Sequence, residues 1–378
     1  MKRILLVALI LALVVLPGCT RPSLPAAPPT PTTPAPAPIS TPAPATTPAP
    51  APSGDTIPPP AIATPAPMTR GTPDPDFQVD VYQSDLAWPG TTLFADLHIP
   101  DRPRIVEVNM LGEIIWEYLV PQSLRQYTNP GFDTELLPDN NVLFVLPRNG
   151  VYEIDRKGNT IWSHLTGKIS HDADRLPNGN TIFAFGADDR KDDAQVTEVN
   201  AKGEIVWSWR ARDHFDKAPY KDINDEGWSH TNAVSRLANG NTLISPRNFN
   251  FVIEVNPQGS VVRTIGEGIF QAQHDPEVLP NGNILVANHR VPHRAVELDP
   301  KTGNVVWQSQ GFEREVTPVR DADRLPNGNT LITGTTKIVE VTARGEVVWQ
   351  LTLKGVTFAG REASGLGFYK ADRISAQR

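Results

Sequence analysis

From Ile105 onward, short apolar runs alternate with polar turns in a pattern that returns six times. In each copy an apolar pair flanks a glutamate, a turn with a glycine follows, and an apolar run ends on a fixed position. The copies run from Ile105-Val106-Glu107-Val108 to Gly112 and Trp116, and from Tyr152-Glu153-Ile154 to Gly158 and Trp162. They continue through Glu198 with Trp207, Glu254 with Arg263, Glu297 with Trp307, and Glu340 with Trp349. Only Arg263 interrupts the tryptophan series. Apolar residues at period two around a glycine turn predict a β-hairpin. A second phrase precedes most copies: Leu176-Pro177-Asn178-Gly179-Asn180, Leu237-Ala238-Asn239-Gly240-Asn241, Leu279-Pro280-Asn281-Gly282-Asn283 and Leu325-Pro326-Asn327-Gly328-Asn329. Asn-Gly tolerates positive φ at both positions and predicts a second tight turn. Leu137-Pro138-Asp139-Asn140-Asn141 is a weaker copy, and Pro89-Gly90-Thr91-Thr92-Leu93 a more distant one.

Two hairpins per copy give four strands, and successive tryptophan positions lie about 42 to 56 residues apart, in or near the range of propeller blades. Six such sheets close radially and leave only short edges. The pattern therefore predicts an all-β, six-bladed β-propeller over about Val81 to Ser375. The tail Leu366-Gly367-Phe368-Tyr369 is placed to supply a closing strand against the first blade. Arg212 to Gly227 reads as a surface insertion between blades three and four.

The apolar run Ile4 to Leu16 follows Lys2 and Arg3, the charge and length of an export leader rather than of a spanning helix. Leu16-Pro17-Gly18-Cys19 resembles the lipobox of bacterial lipoproteins, so residues 1–18 are expected to be a lipoprotein signal peptide and Cys19 a lipidated N-terminus. Of 38 prolines, 20 lie between Pro22 and Pro75. Alternation of Pro with Ala and Thr cannot bury a core and favours extended polyproline II chain. Residues 19–76 thus read as a disordered tether, and 77–378 as the propeller, anchored by lipid to the cell envelope on its periplasmic or outer side. With 35 Lys and Arg against 42 Asp and Glu the net charge is −7, which argues against a nucleic-acid partner. A single cysteine excludes an internal disulfide and a cysteine metal site.

The candidate chemistry sits at the start of the blades. His171, His274, Arg320 and Phe132 precede Asp172, Asp275, Asp321 and Asp133, and the fourth blade carries His230 in Trp228-Ser229-His230-Thr231-Asn232. A ring would bring these positions together around its axis. Imidazoles and a guanidinium suit an anion, because Arg presents a fixed fork of donors and neutral His serves as nucleophile, base or donor. Arg247, closing Ser245-Pro246-Arg247-Asn248, returns toward the same channel. The pairs Asp172/Asp174 and Asp321/Asp323 raise the question of calcium but read better as turn caps. His289 and His293 read as part of a solvated loop rather than a metal pair.

The segment Gly227 to Asn232, its continuation to Asn248, and His274 resemble the bacterial arylsulfate sulfotransferases. These are six-bladed propellers that move a sulfuryl group from a phenolic sulfate ester to a phenol without a nucleotide donor. The resemblance covers the blade region. It implies a sulfohistidine intermediate formed on His274, with His171, His230, Asn232 and Arg247 around the sulfuryl oxygens, and it implies neither cofactor nor metal. Its partners would be small aryl sulfate donors and phenolic acceptors. The well-known members also carry an N-terminal sandwich domain and a disulfide, which this sequence lacks. Two other readings remain open at this point. One is a non-catalytic envelope scaffold, which the tether suits equally. The other is a quinone-cofactor dehydrogenase, disfavoured because no cluster of calcium and quinone ligands is evident.

Overall fold

A computed structural model describes residues 70–310, 318–354, 356 and 367–375. The leader, Cys19 and nearly all of the tether lie outside the described residues. The described chain forms six antiparallel sheets, the six blades of a β-propeller. Blades two to six each take four consecutive strands: Thr134–Leu136 to Thr160–Leu165, Ala173–Arg175 to Ile205–Trp209, Thr231–Arg236 to Val261–Ile265, Gln273–Val278 to Asn304–Gln308, and Val319–Arg324 to Val347–Leu353. The Leu-x-Asn-Gly phrases turn between the first and second strands, as predicted, with Gly179, Gly240, Gly282 and Gly328 at positive φ.

Blade one is assembled from both ends of the chain. Its three outer strands are Gly90–Asp96, Arg104–Val108 and Ile114–Leu119, and its innermost strand is Phe368–Ser375, paired from Gly90↔Ser375 to Asp96↔Phe368. The closing strand anticipated from the tail is therefore present. The distant Pro89-Gly90-Thr91 copy makes no tight hairpin, because the strand that would precede it arrives from the other end of the chain. Phe77–Tyr82 adds a fifth, outermost strand to blade six, which the sequence pattern did not reveal.

The recurrent Trp and Glu pin neighbouring blades together. Trp116, Trp162, Trp207 and Trp307 each donate an indole N–H to a carbonyl of the next blade, and Trp349 does so to Met110 across the closure. Each blade's glutamate accepts from an arginine: Arg175 reaches Glu153, Arg236 reaches Glu198, Arg324 reaches Glu297 and Arg373 reaches Glu340. The same arginines lie over Trp162, Trp207, Trp307 and Trp349 at 4.5 to 5.2 Å, a cation–π contact on each seam. The Arg263 exception has a physical reason. In blade five the position matching Arg175, Arg236 and Arg324 is Val278, so no arginine crosses to Glu254. Arg263 supplies the cation from within its own blade, with Nε 2.6 Å from Glu254.

Candidate active site

Counting back from the leucine of each Leu-x-Asn-Gly phrase sets the register of the innermost strands. One ring of positions then holds Phe132, His171, Asn232, His274 and Arg320, completed by Tyr369 on the closing strand. Asn232, not His230, stands in register with His171. His230 lies two residues earlier, above this ring, where strand Thr231–Arg236 carries a bulge between Thr231 and Ala233.

His230 adopts the left-handed conformation at φ 47°, which a non-glycine residue holds only when its surroundings compel it. Asp189, buried on blade three, provides that compulsion. Its carboxylate accepts the backbone N–H groups of Trp228, Ser229 and His230 at 2.7 to 3.1 Å, and the Ser229 hydroxyl. Gly186 leaves the necessary space: a Cβ there would stand 2.2 Å from Thr231 N.

The imidazoles of His171 and His230 stack at 5.2 Å between centroids, with their Nε2 atoms 3.1 Å apart. His230 Nδ1 lies 2.8 Å from the Glu226 carbonyl. Of the two facing Nε2 atoms, one ring donates and the other accepts. Arg247 NH1 sits 3.1 Å from His230 Nδ1 and 3.4 Å from Glu226 Oε2. Asn232 spends one amide hydrogen on the Gln273 carbonyl, 2.9 Å away, which ties it to the residue before His274. His274 Nδ1 is 2.9 Å from the Ala272 carbonyl, so Nδ1 bears the proton and Nε2 is the free base. Ala272 and Asp275 on either side also have positive φ, 48° and 45°.

Burial holds these histidines neutral. His171 and His274 titrate well below the usual value, chiefly by desolvation. Neighbouring groups add to this: His230, Arg247 and Arg320 act on His171, and His289, Arg247 and His171 on His274. His230 falls to about 3, from burial and then Arg247. Tyr369, stacked on His171 at 5.8 Å and under the Arg320 guanidinium, is pushed up to about 12 by burial.

Buried polar atoms remain without partners: His171 Nδ1, Asn232 Oδ1 and Arg247 Nε. Buried groups normally find partners, and the free N–H of Arg247 is one that an anion could satisfy. The five sequence-predicted residues thus form one neighbourhood. His171, His230 and Arg247 are in direct contact, Asn232 joins through Gln273, and His274 feels the charges of Arg247 and His171.

Other residues escaped sequence reasoning. His289 is not in a solvated loop: it is buried, its ring stacks on His274 at 4.7 Å, and Nδ1 is 3.2 Å from the Val319 carbonyl. It follows the strand Ile284–Asn288, just as Arg247 follows Thr242–Pro246, and that equivalence was the available signal. Glu226 comes from the blade three to four insertion, whose end faces the site. The Asp172 and Asp321 pairs are not turn caps. Residues two apart on a strand share a face, and they point into the channel around Lys370, whose Nζ contacts Asp172, Asp275 and Asp133.

Residues 92–270 match the arylsulfotransferase (ASST) family. The propeller is ASST-like. The matched stretch contains His171, His230, Asn232 and Arg247 and ends four residues before His274, so His274 rests on the blade register and its geometry. This likeness supports a function of the arylsulfotransferase type on small aryl substrates. Among solved structures, the chain is similar to a protein of unknown function from Bacteroides caccae, with a TM-score of 0.55 and 20% identity over 75% of this chain and 98% of that one. At that identity the likeness concerns the fold. Virginiamycin B lyase from Staphylococcus aureus has a TM-score of 0.46 and 12% identity, covering 78% of this chain and 93% of its own. The WD40 propeller of Doa1 has a TM-score of 0.47 and 12% identity, covering 74% and 88%. No curated protein matches the chain.

Proposed function

We propose that the ASST-like propeller is an arylsulfate sulfotransferase that works by two displacements at His274. The observation that carries this reading is the neutral, Nδ1-tethered His274, with its Nε2 lone pair uncommitted, beside a buried Arg247 whose Nε has no acceptor. In the first step Nε2 attacks sulfur of an aryl sulfate, the N–S bond forms, the S–O bond to the aryl group breaks, and phenoxide leaves. In the second step the oxygen of an acceptor phenol attacks the same sulfur and His274 departs with its lone pair. The acceptor's proton balances the phenoxide released earlier. The transferring group spreads negative charge over three oxygens, and preorganised donors in a dry site lower that barrier. Arg247 offers Nε–H and Asn232 its second amide hydrogen, while the neutral His171–His230 pair lines the site beside them. On the same reading, export through residues 1–18 and acylation at Cys19 put this reaction outside the cytoplasm.

The direct test is release of p-nitrophenol from its sulfate ester by the folded protein on addition of phenol. Turnover is expected. No turnover across a panel of aryl sulfates and phenols would leave a binding propeller, and dye reduction requiring an added quinone would favour the dehydrogenase.

Two further results are expected. The nucleophile must be neutral, and the folded-state titration of His274 lies well below the ordinary histidine value. Protonation therefore sets in only at acid pH, and kcat/KM should stay flat as pH falls from 8 through 6.5. A descending limb centred near 6.5 would show a solvated imidazole instead. Gly186→Ala forces a Cβ into the backbone of His230 and Thr231. Displacing a positioning element by about 1 Å costs on the order of 10²-fold in rate, and that loss in kcat/KM is expected from protein with an unchanged circular dichroism spectrum.

A further inference from the structure

Below the ring of His171, Asn232, His274 and Arg320, the next positions along the innermost strands are Asp133, Asp172, Asp275 and Asp321, with Lys370 on the closing strand. Two residues further stand Glu135, Asp174, Glu277, Asp323 and Asp372. Lys370 answers part of this charge through Asp133, Asp172 and Asp275. Beyond the Lys370 contact with Asp275, no ion pair among the described residues reaches Asp321 or Asp323, and carboxylate oxygens of Asp275, Asp321 and Asp323 all lie within 4.8 Å of one another. Two oxygens each about 2.4 Å from one calcium ion are at most about 4.8 Å apart, so the three fit around a common centre.

Two observations beyond the clustering point to an occupant. Asp321 is 2% exposed, and while Oδ2 accepts the Ala371 N–H at 2.9 Å, Oδ1 meets no donor. Asp275 and Asp321 also approach within hydrogen-bonding reach of each other, a contact that two ionised carboxylates make only with a proton or a cation between them. Access is open: a cavity of about 740 Å³ reaches Asp275, Asp323 and Lys370 from the channel's other mouth.

We propose that the central channel binds one hard divalent cation, of the calcium class, between Asp275, Asp321 and Asp323. The ion ties blades five and six together through the axis while Lys370 ties blades one, two, three and five. It takes no part in sulfuryl transfer, and the proposal stands independently of that activity. All-oxygen, carboxylate-rich coordination selects calcium over softer metals.

The test starts from full-length protein stripped with a chelator and dialysed. Titration calorimetry with CaCl₂ is expected to show one site per chain, and the thermal midpoint should rise with calcium concentration, since a ligand that binds only the folded state stabilises it. Asp323→Asn should weaken binding at least ~10-fold, a loss seen even for changes outside the direct ligands. Asp323 is chosen because Asp321 also holds the Ala371 backbone. Should Asp323→Asn fail to fold, crystals of the wild-type protein soaked in MnCl₂ decide the matter by anomalous scattering. A peak among the three carboxylates supports the site. No binding of calcium or manganese by folded protein at millimolar concentration, equal calcium affinity in a folded Asp323→Asn variant, or an anomalous peak elsewhere overturns it, leaving shared protons to relieve the carboxylates.

Discussion

His274→Ala is expected to lower kcat/KM for sulfuryl transfer by on the order of 10⁴-fold or more, the scale on which removing a covalent nucleophile acts when the rest of the site survives. His274 contributes little else: its ring packs on His289 and its Nδ1–H satisfies the Ala272 carbonyl. Truncation should therefore leave the fold intact and the donor still bound. The effect belongs in kcat, with KM for the aryl sulfate changing far less. Arg247→Ala should behave differently, since the guanidinium touches both His230 and Glu226. It would impair donor binding as well as turnover. A His274→Ala enzyme retaining more than a tenth of wild-type activity would mean that no sulfohistidine forms there.

The second large effect concerns ring closure. Arg373 lies on the closing strand, and neither its side chain nor that of its partner Glu340 is exposed. The guanidinium donates to Glu340 Oε2 at 3.1 Å, the Trp88 carbonyl at 2.7 Å and the Thr92 hydroxyl at 3.1 Å, and lies 4.5 Å above the Trp349 ring. Arg373→Ala removes all of this and strands the Glu340 carboxylate with only the Asn329 amide and the Trp88 N–H. Breaking one side of a buried ion pair typically costs ~3–5 kcal/mol, which corresponds to a fall of roughly 10 °C in the melting temperature. Lys168→Ala provides the contrast, because its ion pair with Asp193 is two-thirds exposed on the lysine side, and such pairs contribute about 0–1 kcal/mol. Equal melting points for Arg373→Ala and wild type would show that the seam is held by packing alone.

What the sequence disclosed, and what it withheld, follows from the range of the interactions involved. Turns are local, so Asn-Gly phrases located them. The Glu and Trp recur because five of the six seams repeat the same indole pin, and six copies imply a ring. Even the Arg263 exception becomes intelligible only when paired with Val278, a position on the neighbouring sheet that spacing does not mark. The five site residues were legible because all but Arg247 stand at the start of an innermost strand, and Arg247 ends the strand that follows His230. His289 was missed through a polar neighbourhood of Arg290 and His293 that looks solvated in one dimension, whereas its burial depends on Val319 across a seam. Glu226 and Asp189 act through contacts 4 to 41 residues away in sequence and bear no motif. The channel carboxylates were misread as caps although period two already puts Asp172 with Asp174 and Asp321 with Asp323 on one face; what no single strand shows is that Lys370, from the far end of the chain, points among them.

On the proposed mechanism, His274 carries the sulfuryl group between donor and acceptor. Mixing enzyme at substrate-like concentration with p-nitrophenyl sulfate and no acceptor isolates that step. The expected result is a burst of p-nitrophenol close to one equivalent per chain, accompanied by an acid-labile sulfated peptide that contains His274 and is discharged when phenol is added. Release of p-nitrophenol only in the presence of phenol, with no label on that peptide, would contradict it.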